Sequence, residues 1–364
     1  MDSKLDDIAR PMISSRNRKL LAGLVSLVVL TAAYAGYWFY LAGQMRSHVE
    51  KQTAAFIEQG LDAGYERLTI TGFPSDVTVT LDKAGVTTPD GTHFRAEQMV
   101  GALSPFSPTH LTVSLKGELQ TRFLLQDRIR TFTGAANRFD AELSTNGETT
   151  QWQADMRVEN LEMLETASGD VLGVSYLKAQ TQANIVPDPS AQQSAHDLLI
   201  RVADARLPKR LSSPWGNIVK EAAIEVSLMG RIPKAHTLED SLATWRDIGG
   251  TVQIVRLSLD QGPVHLATDG TLALDGSLQP VGRAIARVSG YIEIIDALVD
   301  RQVMRPRDAP LAKMVLGALA KRPETGGRST LNVPLTLKNR TLYAGPVALT
   351  RFDRIDWDFL KNLM

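Results

Sequence analysis

The sequence predicts an α+β fold, predominantly antiparallel β, built as a curved sheet or sandwich with two C-terminal helices plus one N-terminal transmembrane helix. Three observations predict it. An uncharged apolar run near the start is long enough to cross a bilayer. From Tyr65 onward, apolar and polar residues alternate with period two between turn-forming residues. Late in the chain, two stretches instead place apolar residues at i, i+3, i+4 and i+7.

The apolar run is Leu20–Leu41, LLAGLVSLVVLTAAYAGYWFYL, without one charge. As a helix it measures about 33 Å at ~1.5 Å per residue, enough for the hydrocarbon core. Tyr37, Trp38, Phe39 and Tyr40 close it, where amphipathic rings favour the headgroup level. Lys4, Arg10, Arg16, Arg18 and Lys19 precede it, whereas only Arg46 and Lys51 follow closely. That bias leaves residues 1–19 in the cytoplasm, makes 20–42 the anchor and sends the rest across. The rival reading is a cleaved signal peptide, because Ala33-Tyr34-Ala35 is an A-x-A pattern. Against it, the apolar run continues past that site. Residues 44–62 put Met45, Val49, Phe56, Ile57 and Leu61 on one helical face, as an amphipathic stalk ending at Gly60 and Gly64.

Residues 65–364 then read as one extracytoplasmic, β-rich domain. Leu68–Ile70, Val77–Leu81, Leu111–Leu115, Met156–Val158 and Ile224–Leu228 alternate. Turn chemistry separates the strands at Thr71-Gly72-Phe73-Pro74, Pro89-Asp90-Gly91, Asn146-Gly147, Asp269-Gly270 and Asp275-Gly276. Pro187-Asp188-Pro189-Ser190 marks a surface loop. In TVQIVRLSLDQGPVHLATDGTLALDG, Val252 and Ile254 share one parity, while Val255, Leu257 and Leu259 take the other. This slip predicts a β-bulge near Ile254. Val264 with Leu266, and Leu272 with Leu274, follow as short hairpin partners around the Asp-Gly turns. Gly-Pro-Val occurs at Gly262–Val264 and again at Gly345–Val347. Helices are expected over Tyr291–Val299 and Leu311–Leu319, the second after a cap at Asp308 and an early Pro310.

Charge excludes little beyond nucleic acid. Lys plus Arg and Asp plus Glu are 40 each, so no net field draws the chain to a polyanion. Cysteine is absent from all 364 residues, which removes disulfides, thiolate metal sites and cysteine nucleophiles.

Several stretches resemble a known family. ATWRDIGGT at Ala243–Thr251, GTLALDGSLQPVGRAIARVSGY at Gly270–Tyr291, IDALV at Ile295–Val299, Arg305-Pro306, VPLTL at Val333–Leu337 and Gly345-Pro346 are similar to bacterial domain-of-unknown-function family 2125, found mainly in alphaproteobacteria. Gly72-Phe73-Pro74 resembles that family's turn after the anchor. Ser75-Asp76 departs from it, because relatives more often carry a basic residue there. TLALDGSLQPVG also resembles strands of AsmA-like envelope proteins, a resemblance that implies a role in handling lipids.

Chemistry is sparse. His48, His93, His110, His196, His236 and His265 are dispersed without metal-ligand spacing. Ser175-Tyr176-Leu177-Lys178 matches S-x-x-K, yet in a strand the serine and lysine face opposite ways. Asp356 and Asp358 share parity and resemble a carboxylate pair only if that end is extended and lies in a cleft. Trp152, Trp215 and Trp245 read as packing anchors. The sequence therefore predicts no catalytic, cofactor or metal site. It predicts a non-catalytic protein held in the bacterial inner membrane through Leu20–Leu41, with its C-terminal domain periplasmic, binding lipid or an envelope partner. The alternative is an envelope hydrolase with an unrecognised site. Three things could cover the apolar face of the strands: the two helices, a lipid, or another protein.

Overall fold

The computed structural model describes residues 15–125, 128–145, 151–184, 193–211, 213, 215–300, 305–320 and 329–357. The Asn146-Gly147 turn and the Pro187–Ser190 loop lie outside the described residues. The first element is a single helix, α1 (Ser15–Glu58), which carries both the apolar run and most of the amphipathic stretch after it. Among the described residues it is the one helix long and apolar enough to cross a membrane.

After Gly60 the chain becomes an antiparallel meander. Its first strand is split into β1 (Asp62–Gly64) and β2 (Arg67–Thr71), and its second into β3 (Val77–Asp82) and β4 (Gly85–Thr87). β2 pairs with β3 and β1 with β4, while β5 (His93–Ser104) pairs with both β3 and β4. β7 (Arg128–Ala135) and β8 (Arg138–Thr145) lie end to end between β6 (Ser107–Leu125) and β9 (Trp152–Glu165). The meander continues through β10 (Val171–Ala183), β11 (Ser194–Arg206), β12 (Ile218–Met229), β13 (Thr251–Gln261), β14 (Val264–Leu274) and β15 (Pro280–Ser289). It ends with β16 (Leu331–Lys338), β17 (Thr341–Ala344) and β18 (Val347–Arg351), so that all 18 strands among the described residues belong to one sheet. α2 (Leu238–Asp247) interrupts it after β12, and α3 (Tyr291–Asp300) and α4 (Ala309–Leu319) after β15.

Local chemistry accounts for the turns. Gly262 and Gly345 stand at φ +57° and +56° just before Pro263 and Pro346. A positive φ followed by proline is the arrangement of a type II′ hairpin turn, and it closes β13–β14 and β17–β18. Asp275 Oδ1 accepts from the backbone N–H groups of Ser277 and Gln279, closing β14–β15. The anticipated turn at Asp269-Gly270 does not form. Both residues sit inside the continuous strand β14, paired with Ile285 and Ala284. Gly270 is required there by close approach: a Cβ would come within 2.4 Å of the Arg283 carbonyl oxygen. The slip near Ile254 is a bulge, since the β13–β14 register shifts between Ile254 and Leu257.

A crease crosses the first half of the sheet. Lys83, Gly117, Asn160 and Asp204 all adopt positive φ, at 51°, 76°, 48° and 48°. They lie at one level: Lys83 N–H donates to Glu97 O, Glu118 N–H to a Glu97 carboxylate oxygen, and Ser175 Oγ to Asp204 O. Beyond the crease, Ala96, Leu119, Phe132 and Met163 are almost fully buried together, with Leu115 and Phe139 from the near side packed on them. A flat, uncovered sheet cannot bury a phenylalanine to 1% exposure. The sheet therefore curls at the crease and seals this end with its own strands.

Two helices pack firmly. In α2, Thr237 Oγ1 accepts from Asp240 N–H at the N-cap, and Trp245 Nε1 donates to the carbonyls of Met229 and Gly230. A Cβ on Gly250 would strike the Trp245 ring, so glycine admits the indole. α1 buries Trp38 and Ala42 against Val77, with Leu41, Met45 and Ile70 around them. α3 touches the margin of the sheet at β14, and α4 packs on α3 while exposing Leu311, Met314 and Val315. These two helices do not cover the sheet.

Replacing Phe132 with alanine is expected to cost about 3–5 kcal/mol, the usual range for an aromatic core residue. Ile129→Ala, on an exposed position of the same strand, should stay within about 0.5 kcal/mol. Denaturant unfolding of the solubilised protein measures both.

Candidate functional site

Paired residues of an antiparallel sheet share a face, and residues alternate between faces along each strand. Following the register from strand to strand therefore sorts the side chains. One row runs Ile70, Val79, Gly101, Val113, Ala141, Met156, Ala179, Ile200, Ile224, Leu257, Thr268, Ala286, Val333. A second, two residues along each strand, begins Val77, Leu103, Leu111, Leu143, Ala154 and goes on through Leu198, Val226, Ile254 and Leu335. A third runs Phe139, Val158, Leu177, Val202, Ala222, Leu259, Leu266, Val288, Leu331. No residue in these three stretches is charged. At about 4.8 Å per strand the first row extends on the order of 60 Å around the sheet.

The intervening rows are the opposite in character. Asp140, Arg157, Lys178, Arg201, Ala223, Ser258, Ala267 and Arg287 follow one another across β8–β15. The β13 bulge is what preserves this separation. The extra residue between Ile254 and Leu257 restores parity, so the apolar residues of both halves of β13 stay on one face.

Among the described residues the middle of the apolar face is not covered. Leu143, Ile224 and Leu257 are 41%, 40% and 38% exposed, and Met156 and Ile200 are half-buried. Where protein does cover it the contrast is sharp: under Trp38 and Ala42 of α1, Val77 is sealed. Trp152, expected as a packing anchor, stands exposed in the next row of this face beside Ala183. Trp245 does serve as an anchor: from α2 its ring lies against Gly250 and its Nε1 donates to the Met229 and Gly230 carbonyls.

The polar face carries ordinary strand-to-strand networks. A hollow of about 250 Å³ there is lined by Arg138, Asp140, Glu142, Asp155, Arg157 and Lys178. Burial raises the Asp140 pKa, but donors from Ser114 and Arg138 outweigh it and hold the carboxyl below the usual range. Asp197 accepts from Ser227 and Ser194 at 2.6 and 2.7 Å, and from Asn184 at 2.8 Å. Those bonds likewise overcome desolvation and lower its pKa. His93 is lowered by burial and by Arg95 and Arg122, with Nδ1 2.9 Å from the Thr87 hydroxyl.

The residues singled out for chemistry are scattered. Ser175 lies on the crease against the Asp204 carbonyl, and Lys178 lies three residues further along the same strand, in the charged row. Asp358 lies outside the described residues, and Asp356 follows the last strand. His265 Nδ1 is 3.1 Å from Asp260, while the His196 ring lies tilted beside Trp152, 5.8 Å between centroids. Among the described residues no three His, Cys, Asp or Glu side chains are grouped as a metal site.

The family described as an uncharacterised protein conserved in bacteria, DUF2125, matches residues 38–353. The chain belongs to that family. No curated protein and no solved structure matches it.

The Asp197 network yields a pH signature. A carboxylate with a depressed folded pKa stabilises the fold above its unfolded value near ~3.9, and that contribution is lost as pH falls through the folded value. Asp197→Ala should cost about 1–2 kcal/mol at neutral pH. Unfolding series at neutral pH and below pH ~4 should show the gap between variant and parent closing as acid titrates the carboxylate.

Proposed function

We propose that this DUF2125 protein is a membrane-anchored, non-catalytic component of the bacterial envelope whose open sheet face holds lipid acyl chains. In this reading α1 is retained as a single-pass anchor in the inner membrane. The basic residues before its apolar run stay in the cytoplasm, and the sheet stands in the periplasm. Trp38 and Ala42 support retention, because they are core residues of the folded domain as well as part of the helix.

One observation carries the reading: three uncharged rows cross β8–β16, and among the described residues no second layer lies over their β8–β13 part, where Leu143, Ile224 and Leu257 are exposed. Full burial of a Leu or Ile side chain contributes roughly 1.5–3 kcal/mol. A dozen left half-exposed therefore forgo on the order of 10 kcal/mol, as much as the net stability of a typical domain. Contiguous apolar patches above a few hundred Å² mark binding sites. The length of the face points to acyl chains. One bilayer leaflet is about 15 Å of hydrocarbon, so a row on the order of 60 Å accommodates extended chains in succession. Charged rows turned outward keep the reverse side in water.

The test uses the full-length protein in vesicles containing a phospholipid with a photoactivatable diazirine on its acyl chain. Cross-links should fall on peptides bearing Ile200, Ile224 and Leu257. Ile224→Glu with Leu257→Glu should reduce them about tenfold or more, since a charge cannot be buried under an acyl chain cheaply. Arg201→Glu, on the opposite face, should leave them unchanged. Cross-links confined to α1, or found equally on the charged face, would refute the proposal.

A further inference from the structure

We propose that two hairpin tips, Phe73 and Phe106, are inserted in the bilayer beside α1, and that the apolar face of the sheet opens into the membrane there. This inference rests on the reading of α1 as a membrane anchor, and it adds where the folded domain meets the lipid.

The depth of the tips follows from their contacts. The Tyr34 hydroxyl donates to the Pro74 carbonyl, and the Tyr37 hydroxyl to the Pro105 carbonyl at 3.3 Å. Phe106 stacks on Tyr34 with centroids 5.6 Å apart, and Phe73 stacks on Phe39 at 5.9 Å and meets the edge of Trp38 at 5.5 Å. Tyr34 lies seven residues before Leu41, the end of the apolar run. That distance is about 10 Å along a helix. A helix long enough to span the hydrocarbon thus carries Phe106 below the headgroup level, with Phe73 beside Trp38 and Phe39 at that level.

The chemistry of the tips suits that depth. Phe106 is 81% exposed and Phe73 50% exposed, a poor arrangement in water and an ordinary one among acyl chains. No Asp, Glu, Lys or Arg occurs from Met99 to Leu115, nor from Leu68 to Ser75. Asp76 stands at the base of the first tip, where β3 begins. Backbone polar groups in hydrocarbon need internal partners. Pro74, Pro105 and Pro108 carry no N–H, and the Pro74 and Pro105 carbonyls are satisfied by the two tyrosine hydroxyls.

The same placement defines a mouth. α1 seals Val77 at the first strand pair, and the next residues of that row, Leu103 and Leu111, lie half-buried at the base of the Phe106 hairpin. An acyl chain leaving the bilayer along α1 meets Phe106 and then Leu103 and Leu111, without crossing a charged side chain.

The cysteine-free sequence makes the test direct. Single cysteines are placed in the full-length chain by Phe106→Cys and, keeping the ring, Ser107→Cys. Leu30→Cys within the apolar run and Arg201→Cys on the charged face serve as references. Each is labelled with an environment-sensitive fluorophore in phosphatidylethanolamine–phosphatidylglycerol vesicles, then quenched by acyl-chain nitroxide lipids or by aqueous iodide. Labels at 106 and 107 should follow the one at 30, quenched by the nitroxide and shielded from iodide, while 201 shows the reverse. Labels at 106 and 107 that follow 201, with 30 still lipid-quenched, overturn the inference and leave the anchor standing. Iodide access at 30 itself overturns the anchor and the inference together.

Discussion

Pairing register governs this molecule. A strand has a period of two, so a slip of one residue exchanges its whole apolar set for its polar one. Across β8–β16 the register stays in phase strand after strand, and the side chains segregate into uncharged rows and rows studded with Asp, Glu, Lys and Arg. β13 is the strand where phase would fail, and its bulge restores it. From that segregation follows everything distinctive about the fold: a large apolar surface, and a need for something to cover it.

The chain covers part of that surface itself. At the crease, Asn160 and Asp204 take left-handed backbone conformations that short polar side chains tolerate best, and the sheet curls over Phe132. At the first strands, α1 lies over Val77. Between these closures no protein lid covers the face among the described residues: α3 contacts β14, α4 packs on α3, and α2 is fixed through Trp245 to the end of β12. The described residues thus seal the face at the crease, under α1 and at β14–β16, where Thr268, Ala286 and Leu331 are buried. A long unsealed stretch lies between, and it runs up to the helix that fits a membrane.

Much of this was legible beforehand. Period-two alternation located β3 at Val77–Leu81, the parity slip located the β13 bulge, and helical spacing located α3 and α4. The family resemblance, carried by motifs such as ATWRDIGGT and VPLTL, is matched over residues 38–353. Asp269-Gly270 misled, because the dipeptide suits a turn and also suits a strand whose neighbour leaves no room for a Cβ. The crease had a signal that went unused: apolar parity changes between Val158 and Leu161, at Asn160. What one sequence could not supply is the cross-strand register. Alternation within each strand says that an apolar face exists, and only pairing says that thirteen strands align those faces into one surface.

Whether that surface holds lipid is the central matter, and native mass spectrometry of the full-length protein measures it directly. After gentle extraction from bacterial membranes and removal of detergent in the gas phase, the account predicts a ladder of masses above that of the polypeptide. Each step should equal one phospholipid, and the ladder should vanish when glutamates replace Ile200, Ile224 and Leu257. A bare polypeptide mass, or a ladder unchanged by those replacements, would contradict it.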